Sequence, residues 1–280
     1  MIIICVSLLI SMASGLVISP VCTKPSDQVF PAISGATIVW QDYRNGNSQT
    51  FENSDIYKWD PVHGEQSVVI APYDQRFPEI SGDTIVWADH RNSATTGWDI
   101  YKWDPVNGEQ SVCTKPGDQE YPAISGNTIV WMDNRNLATT GWDIYKWDPV
   151  NGEQSVCIDP GYQEYPAISG NTIVWMDNRN FATTGWDIYM ASTPPIAIQN
   201  LRVKVVSLKL PAPIEKGLTD KLDASNLQIN KMQYSAAQQS LTAFIYQVKA
   251  QTGKAKNLNQ ATANELITTA QRIINSIPKK

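Results

Sequence analysis

Four times along the chain an aspartate and an arginine stand two residues apart in the pattern D-x-R-N: Asp42/Arg44, Asp89/Arg91, Asp133/Arg135 and Asp177/Arg179. Each set is followed by a further carboxylate just ahead of Ile-Tyr: Asp55, Asp99, Asp143 or Asp187. A guanidinium fork matches a carboxylate with two parallel hydrogen bonds, so each set can brace a loop. Calcium also takes carboxylate and amide oxygens, but the loop lacks the D-x-[DN]-x-[DN]-G spacing and carries an arginine in its middle. Zinc is poorly served by His63 and His90, with no Cys or His pair at ligand spacing. There is no G-x-S-x-G elbow, no H-E-x-x-H and no phosphate-cradling glycine loop. No two acids stand out as a glycosidase pair. A catalytic centre needs unlike residues converging on one point, whereas a repeat distributes like residues along an array. The sets therefore read as scaffold, and no catalytic residue, metal ligand or cofactor is expected.

Tryptophan recurs in three registers: Trp40/87/131/175, Trp59/103/147 and Trp98/142/186. The first two registers fall inside strand-like runs and read as packing. The third opens a strand at the end of an A-T-T-G loop. Aromatic rings beside Arg and Asn suit a sugar or a peptide, which makes Trp98, Trp142, Trp186, Arg91, Arg135, Arg179, Asn136 and Asn180 the candidate binding residues. Core packing is the competing reading for these tryptophans.

The element that must position these groups is a repeat, marked by Pro31, Pro78, Pro122 and Pro166 at intervals of 47, 44 and 44 residues. In one unit Tyr121–Ser125 is extended and Gly126-Asn127 is a turn. Thr128–Asp133 is a β-branched and aromatic strand, Trp142–Trp147 alternates as another, and Gln154–Cys157 is the last. Four strands in a meander, repeated at this period, predict β-propeller blades. The fourth unit stops after Tyr189, while Pro20–Pro25 matches the missing piece, Ser111–Pro116. Residues 20–24 are therefore expected to complete the last blade and cover two open edges.

The pattern P-x-I-S-G-x-T-I-V-W-x-D-x-R-N…D-I-Y over residues 20–190 resembles the TolB-type, WD40-like propeller repeats. That resemblance implies a non-catalytic, extracytoplasmic binding scaffold, although some members carry a fused hydrolase. Such families often close with six or more blades, so an open arc and pairing between two chains stand beside closure within one chain.

The formal charge of -5 hides a split. Residues 1–199 carry 10 Lys/Arg against 23 Asp/Glu, and residues 200–280 carry 12 against 4. All ten tryptophans and all four cysteines lie in the first part. The opening run MIIICVSLLISMASG has the apolar core and small-x-small ending of a secretory signal, and is too short to span a bilayer. Cys22, Cys113 and Cys157 share one repeat position with Val69, which reads as a small apolar plug rather than a disulfide set.

Beyond Ser192-Thr-Pro-Pro the apolar period changes from two to about 3.6. Stripes at Ile198/Leu201/Val205/Leu208, Leu218/Leu222, Ala237–Val248 and Ala263–Ile277 predict four helices in a small bundle. Leu218–Leu222, Ala236–Lys254 and Ala263–Ile274 are similar to the FIMAH helical module of secreted hydrolases and surface proteins, which implies an accessory or anchoring role.

The expected organisation is mainly β: signal peptide 1–15, four-bladed β-propeller 16–192, linker 193–199 and α-helical FIMAH-like module 200–280. The expected function is an exported, cell-surface or periplasmic binding scaffold. Its expected partner is an extracellular glycan or protein, with an anionic cell-wall polymer reached through the basic module and no nucleic acid. After signal cleavage it is not expected to be an integral membrane protein. The alternatives are an enzyme acting on extracellular polysaccharide or peptide, and a structural spacer from a larger array.

Overall fold

The computed structural model describes residues 17–50, 52–253 and 257–278; the expected signal segment 1–15 lies outside the described residues. Residues 28–192 build four antiparallel meanders, each a propeller blade. The first blade is β1 (Gln28–Ser34), β2 (Thr37–Asp42), β3 (Asp55–Asp60) and β4 (Gly64–Val69). The second is β5 (Gln75–Ser81), β6 (Thr84–Asp89), β7 (Asp99–Asp104) and β8 (Gly108–Cys113). The third is β9 (Gln119–Ser125), β10 (Thr128–Asp133), β11 (Asp143–Asp148) and β12 (Gly152–Cys157). The fourth has three strands: β13 (Gln163–Ser169), β14 (Thr172–Asp177) and β15 (Asp187–Ser192). A single helical turn, α1 (Phe181–Thr184), sits in its long loop.

Local chemistry explains each blade. Gly126, at φ +57°, takes the first position of a two-residue hairpin turn between Ser125 and Thr128. The Asp148 carboxylate accepts from the Val150 and Asn151 backbone N–H groups at 3.0 and 2.8 Å, closing the next reversal. The second strand of a blade is covered on both faces, so it reads as a continuous apolar run rather than an alternation. In β6, Ile85, Val86, Trp87 and Ala88 are all buried.

Successive blades share three cores. Val39, Ile56 and Val69 of blade one pack on Ile80, Ile85 and Trp87 of blade two. The same contact recurs as Val86, Ile100 and Cys113 against Ile129 and Trp131, and as Val130, Ile144 and Cys157 against Ile173 and Trp175. Among the described residues no core joins blade four to blade one.

The expected completion of blade four by residues 20–24 is not formed. Residues 17–24 carry no strand, and Cys22 instead meets blade one, where its sulfur accepts from Arg44 at 3.3 Å. A strand pairs only with an edge inside hydrogen-bonding reach, and the four blades form an arc whose ends do not share a core.

The C-terminal helices are α2 (Pro194–Ser207), α3 (Ala212–Asn230), α4 (Tyr234–Gln251) and α5 (Gln260–Ser276). Pro194 and Pro195, placed in the expected linker, are the first turn of α2, where a proline costs no hydrogen bond. Leu201, Leu218, Leu222, Leu241, Phe244 and Leu266 meet in one core. Among the described residues no helix is long and apolar enough to cross a membrane. Phe244 is fully buried, so Phe244→Ala should cost about 3–5 kcal/mol of bundle stability. Urea unfolding followed by helical circular dichroism checks this; an unchanged helical transition would remove Phe244 from the core.

Candidate binding site

The D-x-R-N sets form one device in every blade. In blade three the buried Asp133 carboxylate accepts from Arg135 Nε at 2.9 Å and from its terminal nitrogen at 2.6 Å, while Trp131 Nε1 donates at 3.1 Å. The other terminal nitrogen of Arg135 pairs with Glu153 on β12 at 2.6 Å. The guanidinium lies 4.2 Å from the centre of the Tyr145 ring. Asn136 and Thr140 both donate to Asp143 Oδ2 at 3.0 Å, and Asn136 also reaches the Tyr145 hydroxyl at 3.2 Å. Burial pushes the Asp143 carboxyl above its usual range, and its Oδ1 finds no partner.

Blade four lacks a fourth strand and hence its own Glu. There Arg179 pairs with Asp159, a residue of the connection from blade three, as well as with Asp177. The first and second blades repeat the device with Arg44 between Asp42 and Glu65 and Arg91 between Asp89 and Glu109. The guanidinium forks of Arg91, Arg135 and Arg179 are thus occupied by carboxylates, as bracing requires. Asn136 serves the same brace, and Asn180 donates to the Tyr189 hydroxyl at 3.0 Å.

The three candidate tryptophans sit where a loop enters the third strand of its blade. Trp98 stacks on His90 at 4.5 Å between ring centres and has Arg76 5.1 Å from its ring centre. Trp142 packs against the core shared by blades three and four, and Trp186 is exposed. These rings belong to successive blades and are not brought into one cluster. Cys113 and Cys157, with Val69, fill the plug position in the seams, whereas Cys22 is only half-buried beside blade one. Burial lifts the Cys113 thiol to about 12, with Glu153 adding to the effect, and Cys22, Cys113 and Cys157 are free.

A different aromatic set does converge. Phe30, Phe77, Tyr121 and Tyr165, each ahead of the repeated proline, line a central cavity of about 450 Å³. Neighbouring ring centres lie 5.1, 4.3 and 4.7 Å apart, forming a column across all four blades. The four residues have φ of 51°, 55°, 49° and 52°. A positive φ is rare for a bulky residue, and such strain persists only where the surroundings impose it. The cause is a β-bulge in each innermost strand, between Val29 and Ala32, Arg76 and Glu79, opposite Val130–Met132, and between Glu164 and Ala167. A bulge re-aims a side chain, here into the cavity. The sequence signal is an aromatic residue ahead of each repeated proline; the prolines alone were read above, as repeat markers.

Glu79 stands on the cavity wall, and Glu120 lies beside Tyr121. Burial pushes the Glu120 carboxyl up to about 7, with Asp118 adding to the rise and Arg76 opposing it.

No family model matches this chain, and no curated protein matches it. Solved structures do. The computationally designed Ika4 protein is 15% identical, with 64% of this chain and 98% of that one covered at a TM-score of 0.40. The acylaminoacyl peptidase of Pyrococcus horikoshii is 14% identical, covering 60% of this chain and 26% of its own at 0.45. The β-propeller domain of the trilobed protease from Pyrococcus furiosus is 15% identical, covering 59% and 68% at 0.34. This chain therefore spans about a quarter of the length of the peptidase.

Two expectations follow from the site. Arg135→Ala should destabilise the chain by about 1–3 kcal/mol, because it leaves Asp133 buried without its partner; an unaltered thermal melt would refute the bracing role. Glu120 binds its proton more tightly when folded, so its contribution is present below pH 4.5 and lost as pH rises toward about 7. Glu120→Gln should remove up to about 3 kcal/mol of that pH dependence, which denaturant titrations at pH 5 and pH 8 would measure.

Proposed function

We propose that this protein is an exported, surface-associated binding scaffold without catalytic activity, whose central aromatic cavity takes a segment of a protein partner. The observation that carries the reading is the column of four aromatic rings held at positive φ in one cavity. The chemistry of the lining favours a peptide over a glycan. Proline, alanine and isoleucine make up most of the wall, and Glu79 is its one charged member. Sugar hydroxyls entering such a wall would find only the Tyr121 and Tyr165 hydroxyls and the Glu79 carboxylate as side-chain partners, and each one left unpaired would cost about 1–3 kcal/mol. An apolar or aromatic side chain stacks on the column instead, and a neighbouring Lys or Arg meets Glu79.

The helical module is proposed as an accessory that brings the scaffold to an anionic surface such as a wall polymer. Its excess of basic residues supports that role. Part of this charge is already matched, since Arg202 pairs with Asp223 at 2.7 Å and Lys204 with Glu265 at 3.0 Å.

The test is a peptide array and a glycan array probed with the same full-length protein. Peptides that place an aromatic or aliphatic residue beside Lys or Arg should bind, and glycans should not. The double variant Phe77→Ala/Tyr121→Ala should weaken peptide binding at least tenfold while its thermal melt stays cooperative. Glycan binding, binding indifferent to the double variant, or cleavage of the captured peptides would overturn the proposal.

A further inference from the structure

The two ends of the arc carry the two halves of one interface. In each internal seam one blade offers a Val and an Ile from its second and third strands, with a Val or Cys from its fourth. The next blade offers two isoleucines and a tryptophan. Ile56, Ile100 and Ile144 are fully buried in this way, whereas their counterpart on blade four, Ile188, is 75% exposed. On the other side Ile80 is 7% exposed, whereas its counterpart on blade one, Ile33, is 66% exposed.

The N-terminal segment shows what belongs between them. Arg135 donates to Cys113 of the preceding blade at 3.1 Å and Arg179 to Cys157 at 2.9 Å. Arg44 donates to Cys22 at 3.3 Å in the same manner. Residues 20–24 therefore stand against blade one where the outer strand of a preceding blade would stand. Between this segment and Ile33, Ile38 and Trp40 lies an apolar groove of about 470 Å³. Blade one has the outer strand of an absent neighbour, and blade four has the other three strands without the outer one.

The hydrogen bonds of the seam are split in the same way. Gly82, Gly126 and Gly170 each donate their backbone N–H to a serine hydroxyl of the preceding blade at 2.9 Å. The corresponding pair across the ends, Gly35 and Ser169, is not joined within the chain. Lys58 and Lys102 lie over Trp103 and Trp147 of the next blade, at 4.5 and 4.9 Å from the ring centres. At the end of the arc Met190 replaces that lysine and is 51% exposed. Its counterpart ring is Trp59, and a thioether against an indole is a favourable contact.

We propose that a second copy of this chain supplies the missing half at each end. Blade four of one copy seats in the groove of blade one of the other, and residues 20–24 of the receiving copy become the outer strand of that blade. The occupant is a second copy because the same chemistry already joins blades three times inside one chain. The contact is head-to-tail, so a reciprocal pair closes it and consumes both open edges. The helical bundle does not stand in the way, since Ile188 and Met190 are exposed in the whole chain. Ile33, Ile38, Trp40, Ile188 and Met190 carry the seam and none of them lines the aromatic cavity, so loss of the seam leaves peptide binding at the column intact.

Sedimentation of the full chain should show a dimer or larger assembly. I188D should shift the apparent dissociation constant upward more than tenfold, with circular dichroism and a cooperative melt retained because the position is exposed in the single chain. Cys113 and Cys157 stand opposite Ile100 and Ile144 in their blades, so a cysteine introduced by I188C faces Cys22 of the neighbouring copy. Mild oxidation of I188C should give a covalent dimer or larger species that reductant reverses and that I188C/C22S does not form. A monomer at all concentrations without cross-link would overturn the inference. So would a cross-link confined to one chain, seen as a faster-migrating monomer, because blade four would then close on its own N-terminal segment.

Discussion

A propeller blade is a sheet with two apolar faces, and both must leave water. Nearly everything in the N-terminal part of this chain follows from that constraint. The β-branched second strand packs on both sides, the outer strand contributes a small Val or Cys, and the next blade meets it with isoleucine and tryptophan. Each internal face buries side chains worth about 1.5–3 kcal/mol apiece relative to exposure. A finite array has two end faces that no internal neighbour covers, and this chain has Ile33 at one and Ile188 at the other.

The polar devices are subordinate to those seams. A carboxylate such as Asp133 is tolerated without solvent only because Arg135 and Trp131 satisfy it and Glu153 holds the arginine in place. The arrangement ties the long loop between the second and third strands to the strand beneath it. In blade four the missing glutamate is replaced by Asp159, where blade three has Lys115 at the matching point of its approach. That exchange shows the brace retained even where the blade is incomplete. It also explains why the arginines singled out for binding are occupied: their chemistry is directed inward.

The bulges create the one place where unlike demands meet. They cost regular pairing at the innermost strands and hold aromatic residues at positive φ. In return the rings of four blades converge on one cavity, which no single blade could make. The acidic groups beside it sit where hydration is reduced, so Glu120 titrates near neutrality rather than in the usual carboxylate range. The helical bundle, by contrast, has one core of mostly aliphatic packing and carries 12 of the chain's 22 Lys and Arg.

Sequence alone determined the blade count, the order of the strands within a unit and the four helical stripes, while the first, third and fourth strands begin or end a residue or two away from the limits read from it. Strand periodicity, hairpin glycines and the 3.6-residue repeat are local properties, and local preference agreed with the final packing. The bracing role of Asp133 and Arg135 was legible for the same reason, since the two residues are near neighbours in the chain. The aromatic column was not legible, because Phe30, Phe77, Tyr121 and Tyr165 are about 44 residues apart and converge only through bulges that the aromatic-proline pairs mark but do not explain. The fate of residues 20–24 was likewise beyond the sequence: their match to Ser111–Pro116 names the strand they resemble. Which edge they lie beside depends on the curvature of the arc, a sum over every seam, and only the tertiary structure decides it.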